Sequence, residues 1–398
     1  MTRPDTTSEK LLRATARTTL TRDQAAHLAD EAARVTDWTE IIQTALGHGT
    51  AGLLCRHLLN LPPGLVPADI GAAATSYINH LHASHATGVA QLLDLLDRFT
   101  RAGITAVPFK GPALAQRAYP EPALRQFSDL DILISARDIA PTMRLLQDLG
   151  YRSQHAGLPA RHHAAYLRYN GQDVLHAVDR LPVEPHWQFA QRTLHAAMDI
   201  DGMLARAVPL ELGGHQIRSL SPVDSVLAAA LHGSKDQWLS LRAVTDLAEL
   251  LCVHPDLDWP VLLHRAKASG IHRMVLLGAA LTQRVLDVPL PDIAARGIAA
   301  DATCQRLAAR AHAALFTGPH PIPSIFVLNR FRWQMRERLP DRVAYAARTL
   351  LTPRVQHFGI IDLPDTLRFL YPLLKVGHDF IALPLWRATR RTVGKSAA

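Results

Sequence analysis

The chain is most informative at Val107-Pro108-Phe109-Lys110-Gly111-Pro112-Ala113-Leu114-Ala115, followed by Arg125 and then by Ser128-Asp129-Leu130-Asp131-Ile132-Leu133-Ile134. Ile104 to Phe109 reads as a short β-run, Ala113 to Ala118 as a short helix, and Leu130 to Ile134 as a second strand. Asp129 and Asp131 are two apart, so in an extended chain both carboxylates point the same way. Leu130, Ile132 and Ile134 then face a core. Like charges that close are costly unless a cation stands between them. Mg²⁺, or Mn²⁺ in its place, suits such a pair because it takes hard oxygen ligands and shares them with phosphates. Gly111 at the strand-to-helix turn lets backbone approach phosphate oxygens, and a helix N-terminus favours an anion. Lys110 and Arg125 would neutralise further phosphate charge. A lone Asp-x-Asp in a strand is common. The order and spacing of all these parts is what points to metal-assisted nucleotidyl transfer.

Working outward, residues 138–149 form an amphipathic helix closed by Gly150, and Asp173–Val178 and Pro182–Phe189 read as two more strands. Strands mixed with helices mark an α/β core at 104–218 within an α+β protein, a small mixed sheet flanked by helices. Residues 1–103 read as a helical region with a frayed tail over 1–8, a helix start at Asp37-Trp38-Thr39-Glu40 and a long helix from Ile70 to Arg101. Ser221-Pro222-Val223-Asp224 opens a helical domain over 219–317, because Pro is at home in the first turn. Helices are expected at 222–233, 238–253, 259–268, 272–286 and 292–315. Residues 318–398 read as a linker, Gly318-Pro319-His320-Pro321, and a helical, arginine-rich extension ending in a basic tail, Arg387, Arg390, Arg391 and Lys395.

The order Lys110-Gly111-Pro112-Ala113-Leu114-Ala115, Arg125 and Asp129-Leu130-Asp131 resembles the nucleotidyltransferase superfamily that includes DNA polymerase β. It is more closely similar to an uncharacterised nucleotidyltransferase family typified by a K-G-x-A-L-A turn, an arginine and a D-[LI]-D strand. Glu184-Pro185-His186-Trp187, His232-Gly233-Ser234-Lys235 and Leu241 through Asp246-Leu247-Ala248 extend the likeness over roughly residues 35–290. Two features depart from the superfamily. Pro112 stands where a second small residue is usual, and it has no N–H to offer. The interval from Gly111 to Asp129 is also longer than usual.

The resemblance implies a third carboxylate on a neighbouring strand. Glu184 is the choice, with Asp179 and Asp173 as alternatives. It implies Asp129, Asp131 and Glu184 as catalytic metal ligands and Lys110, Gly111 and Arg125 as the nucleotide contacts. His186 would orient the acceptor or a carboxylate, or make a structural hydrogen bond. Trp187 belongs to a core. His232 and Lys235, three apart, would share a helix face that touches phosphate or acceptor. Asp246 would join them or pair with Arg242. His162-His163 reads as a solvated face.

Composition sets outer limits. The 398 residues are 48% hydrophobic and 20% charged, enough to bury a sizeable core and far from disorder. Cys55, Cys252 and Cys304 form no CxxC pair, which argues against a zinc site or a disulfide framework. The net charge is +8, but 37 of the 43 basic residues are arginine, so the charge reflects residue usage as much as a nucleic-acid partner. A lysine inside a motif gains meaning for the same reason. The longest apolar runs are about eight residues, against the ~20 a spanning helix needs. With a polar N-terminus, the expectation is a cytoplasmic protein without a membrane span.

The expected function is Mg²⁺-dependent transfer of a nucleoside monophosphate from an NTP, ATP among them, to a small-molecule, peptide or protein acceptor, with pyrophosphate released. A non-catalytic relative that binds a nucleotide or peptide and regulates a partner is the alternative. A nucleic-acid-binding protein ranks third, on the pI of about 9.7 and the basic tail.

Overall fold

The computed structural model describes residues 6–194, 196–316 and 325–382. The described chain opens with α1 (Thr7–Thr15), α2 (Arg22–Ala32), α3 (Trp38–His48), α4 (Ala51–Leu59) and the 34-residue α5 (Ala68–Arg101). Local chemistry sets their ends. Thr6 and Glu9 form a capping box on α1, so Thr6 to Ser8 are ordered into a helix start rather than frayed. Asp37 accepts from the Glu40 N–H at the start of α3, as its sequence predicts.

The core follows as β1 (Ala106–Pro108), α6 (Gly111–Ala118), β2 (Leu130–Ile134), α7 (Ile139–Asp148), β3 (Arg152–Ser153), α8 (Ala160–Asn170), β4 (Leu175–His176) and β5 (Val183–His186). The sheet order is β1-β2-β5-β4-β3. β2 runs antiparallel to β1 and parallel to β5, and the remaining pairs are antiparallel. A six-residue helix α9 (Ile200–Ala205) leads to a hairpin, β6 (Val208–Leu212) and β7 (His215–Ser219), turned by Gly213-Gly214. α10 (Pro222–Lys235), α11 (Leu241–Val253), α12 (Trp259–Ala268), α13 (His272–Leu286), α14 (Asp292–Ala300) and α15 (Ala302–Leu315) complete the body. The single helix expected over 292–315 is two, broken at Asp301, whose carboxylate caps α15. The extension contributes α16 (Ile325–Gln334), α17 (Leu339–Leu351), α18 (Val355–Phe358) and α19 (Tyr371–Gly377). The expected linker at 318–321 and the basic tail lie outside the described residues.

The fold is α+β, and the sheet sits between two cores. Leu130, Ile132 and Ile134 of β2 pack with Leu92, Leu95 and Phe99 of α5. The other core takes Val107 and Leu133 from the sheet, Leu11 and Leu54 from the N-terminal helices, and Leu227, Leu247 and Leu277 from α10, α11 and α13. β2 is therefore buried on both faces, and its one charged residue, Asp131, is 3% exposed. His162-His163, expected on a solvated face, is not there. His162 is buried, stacked on Phe358 and bonded to the Tyr371 hydroxyl at 3.1 Å. His163 pairs with Asp173 at 3.2 Å. The C-terminal extension covers α8, which its own sequence does not announce.

Candidate active site

The site begins with strand register. Asp131 of β2 stands opposite Glu184 of β5 in a parallel pair, so two carboxylates sit side by side on one sheet face. His186 shares the face of Glu184, two residues on. Its Nε2 lies 2.9 Å from Asp131 Oδ1 and 3.4 Å from Glu184 Oε2. Asp129 lies just before β2, with the same parity as Asp131. Glu184 is aimed by Gln172, whose Nε2 donates to Glu184 Oε2 at 2.8 Å. The other two candidates for the third carboxylate are placed elsewhere. Asp173 accepts from Ser153 at 3.1 Å and from its neighbour's N–H, Val174, at 2.9 Å. Asp179 lies in a turn with φ of 54°.

Lys110 stands immediately before α6, and its Nζ lies 2.9 Å from Asp131 Oδ1. Burial works against charge on Lys110, but Asp131, with Asp129 and Glu184 behind it, outweighs that and raises its pKa. Burial would raise Asp131 too; Lys110 and His186 overcome it and hold this carboxyl well below the ordinary range. Because Asp131 stays ionised it can only accept, so the His186 Nε2 carries the proton. The His186 Nδ1 is buried without a partner, its ring edge-on to Phe109 at 5.0 Å. Asp129 behaves differently. Burial, then the charges of Asp131 and Glu184, push it up to about 6, against the pull of Lys110 and Arg242.

Gly111 makes the turn possible. Its φ is +51°, and a Cβ there would come 3.2 Å from the Asp129 carbonyl oxygen, so the turn lies directly against the metal-ligand candidate. Pro112 fits the first turn of α6, where the helix itself needs no N–H. Ala113 and Leu114 turn their N–H groups back to the Lys110 carbonyl at 3.2 and 3.4 Å.

Arg125, expected on a phosphate, lies in one cleft wall with Gly111 and Asp129 and is paired with Asp246. Its Nε and Nη2 meet the two oxygens of Asp246 at 2.7 and 2.8 Å, and its Nη1 donates to the Gly111 carbonyl at 3.3 Å. Tyr119 adds a third bond to Asp246 at 2.7 Å. A bidentate buried pair leaves the guanidinium little freedom to reach a ligand. Arg125 therefore fastens the Gly111 turn to α11. The alternative partner for Asp246, Arg242, instead donates to the Gln126 carbonyl at 3.3 Å.

This cleft of about 320 Å³ is lined by Lys110, Gly111, Arg125, Asp129 and Asp131 on one side and by His232, Arg242 and Asp246 from the helices; Glu184, His186 and Lys235 are not among its lining residues. Its volume is at the lower end of the size of small-ligand sites. α10 continues through Gly233, where the Trp238 ring would lie 2.5 Å from a Cβ, so only glycine fits. His232 and Lys235 therefore do share one helix. Burial, then the charges of Lys110 and Lys235, hold the His232 imidazole well below its ordinary pKa. Lys235 ends α10, and its carbonyl accepts from Arg332 of the extension at 2.8 and 3.1 Å.

Asp131, Glu184 and His186 offer ligand atoms that all lie within 4.8 Å of one another. Asp129, pushed up to about 6 by burial and then by the charges of Asp131 and Glu184, adds a third acidic group beside them. An oxygen-rich, negatively charged cluster fits a hard divalent ion such as Mg²⁺ or Mn²⁺. Gln172, Tyr119 and Arg242 complete the site without having been singled out. Gln172 and Tyr119 carry no local pattern. Arg242 lies inside the Leu241–Asp246 segment, where its spacing of four from Asp246 points only to an ion pair.

No curated protein matches the chain. The family model described as an uncharacterised nucleotidyltransferase matches residues 34–287, from the N-terminal helices through the sheet to α13. That span holds every side chain of the cleft, and the chain belongs to this nucleotidyltransferase family.

Proposed function

We propose that the protein transfers a nucleoside monophosphate from an NTP to an acceptor hydroxyl in a reaction that depends on Mg²⁺ or Mn²⁺. One observation carries this reading: the β2–β5 register sets Glu184 beside Asp131, and Asp131 lines a cleft together with Asp129, Lys110 and Gly111. Asp129, Asp131 and Glu184 would hold the ion, which when bound supplies Lewis-acid stabilisation of phosphoryl charge. Lys110 would move its ammonium between Asp131 and the triphosphate as the nucleotide enters. Gly111 lets the turn approach the phosphates closely. His186 fixes the Asp131 carboxylate, Gln172 fixes Glu184, and Arg125 with Asp246 fixes the turn. The acceptor hydroxyl gives its proton to water as its oxygen bonds to the α-phosphorus, the bond from that phosphorus to the bridging oxygen breaks, and pyrophosphate leaves. The protein's contribution is positioning and preorganised charge.

A second reading, a relative that binds a nucleotide without turning it over, draws on two observations. Lys110 already neutralises Asp131, and Pro112 removes an amide from the turn. Incubation with Mg²⁺, NTP labelled at its α-phosphate and a small-molecule and peptide extract separates the two. Label passing into a new product with the wild-type chain and not with Asp131→Asn supports transfer. Tight NTP binding with no labelled product and no pyrophosphate release supports the second reading.

A further inference from the structure

The charge of this chain is unevenly placed. Residues 1–324 hold 30 Lys and Arg against 30 Asp and Glu, whereas residues 325–398 hold 13 against five. The whole net charge of +8 therefore belongs to the segment after α15, beyond the family match. Exposed apolar surface gathers in the same place. Of 18 large apolar side chains exposed among the described residues, 14 lie between Phe326 and Ile381.

These side chains are ordered along the helices. On α17, Leu339, Val343 and Leu350 are 68%, 59% and 40% exposed. Their spacing of i, i+4 and i+11 falls within about 40° of a helical wheel. Phe369, Leu373 and Phe380 lie on the 3-10 turn before α19, on α19 and on the π-turn after it, and are 69%, 64% and 62% exposed. α17 packs against α19, and Tyr345 and Tyr371 on their inner sides are buried. The inner faces thus satisfy the core while an apolar stripe on α17 and the apolar side chains on and around α19 meet solvent.

We propose that this extension docks on an anionic lipid bilayer surface. Two properties select that occupant. Basic charge, with four of its 13 residues in the tail from Arg387 on, draws a segment to acidic headgroups, and the outward apolar stripe of the same segment enters the headgroup–acyl boundary. A second copy of the chain would set one strongly basic extension against another. A nucleic acid would meet the charge but offers no complement to exposed Leu and Phe. Among the described residues no helix is long and apolar enough to cross a membrane, so the contact is one of lying on the surface.

Co-sedimentation of the full chain with phosphatidylcholine vesicles, with and without phosphatidylglycerol, tests this. The expected result is partition onto the anionic vesicles at least about tenfold stronger than onto neutral ones, weakening as salt rises. Leu373→Asn with Phe380→Asn should lower that partition at least about tenfold, because the apolar contact is lost. Leu339→Asn with Val343→Asn does the same on α17 and serves if the first pair disturbs folding. Absence of partition, or partition that neither double variant alters, overturns the proposal. So does a lipid-free dimer in light scattering that either double variant dissociates, which would make these side chains a self-association surface.

Discussion

Asp131 Oδ1 receives both the Lys110 ammonium and the His186 Nε2 at 2.9 Å. A neutral replacement of the same shape keeps an acceptor there but removes the charge. Asp131→Asn should therefore lower nucleotidyl transfer at least about a thousandfold while reducing stability by only about 1–3 kcal/mol, read from label transfer and urea unfolding on one preparation. Glu184→Gln should follow it in activity. Asp179→Asn should be silent, since Asn tolerates the left-handed turn as Asp does. A loss of transfer in Asp179→Asn equal to that in Glu184→Gln would move the third carboxylate. Lys110→Ala should weaken NTP affinity at least about tenfold. If Lys110→Ala and Lys110→Met both lower the melting temperature but leave that affinity unchanged, Lys110 only ties Asp131 in place. At this scale the nearness of Lys110, Asp129 and Asp131 was legible, because strand parity and a turn glycine are local, whereas Glu184 came from the resemblance and meets Asp131 through the β2–β5 register. The pairing of Arg125 was not legible, because its partner Asp246 lies 121 residues away and nothing near either residue announces it.

Elements position the site through one buried clamp, Arg125 with Asp246 and Tyr119, between the α6 turn and α11. Removing one partner of such a pair strands the other, so Asp246→Ala should cost about 3–5 kcal/mol of stability by denaturant unfolding. The pH dependence has a definite sign. Burial opposes ionisation of Asp246, but Arg125 outweighs it and lowers the folded-state pKa. A depressed carboxyl contributes stability above its unfolded pKa and loses it as pH falls through the folded one. The stability gap between wild type and Asp246→Asn should therefore be full near neutrality and shrink as pH falls below about 4. A gap that widens on acidification would contradict the clamp. Helices with caps were legible from sequence, as at Asp37 and Ser221. The two-residue strands β3 and β4 are too short to show a period. The β6–β7 hairpin was overlooked, although Gly213-Gly214 between two short runs is a hairpin signal.

Across the whole molecule, one core joins the N-terminal helices to α10, α11, α13 and α15, so the cleft has a rigid wall opposite the sheet. That wall was foreseeable as helix but not as a lid on the site, since helical periodicity says which face is buried and not against what. Arg332 carries the C-terminal extension to the end of α10, within three residues of His232. Arg332→Ala should lower the melting temperature with little change in NTP affinity, because the bond it removes is to a backbone carbonyl outside the cleft. The central claim is that Asp129, Asp131 and Glu184 form a metal-dependent nucleotide site. Isothermal titration of an NTP into the full chain, with Mg²⁺, with EDTA, and with Mg²⁺ into Asp131→Asn, tests it without knowledge of the acceptor. The account predicts binding that requires the ion and weakens at least about tenfold in the variant; binding of equal strength in all three titrations would contradict it.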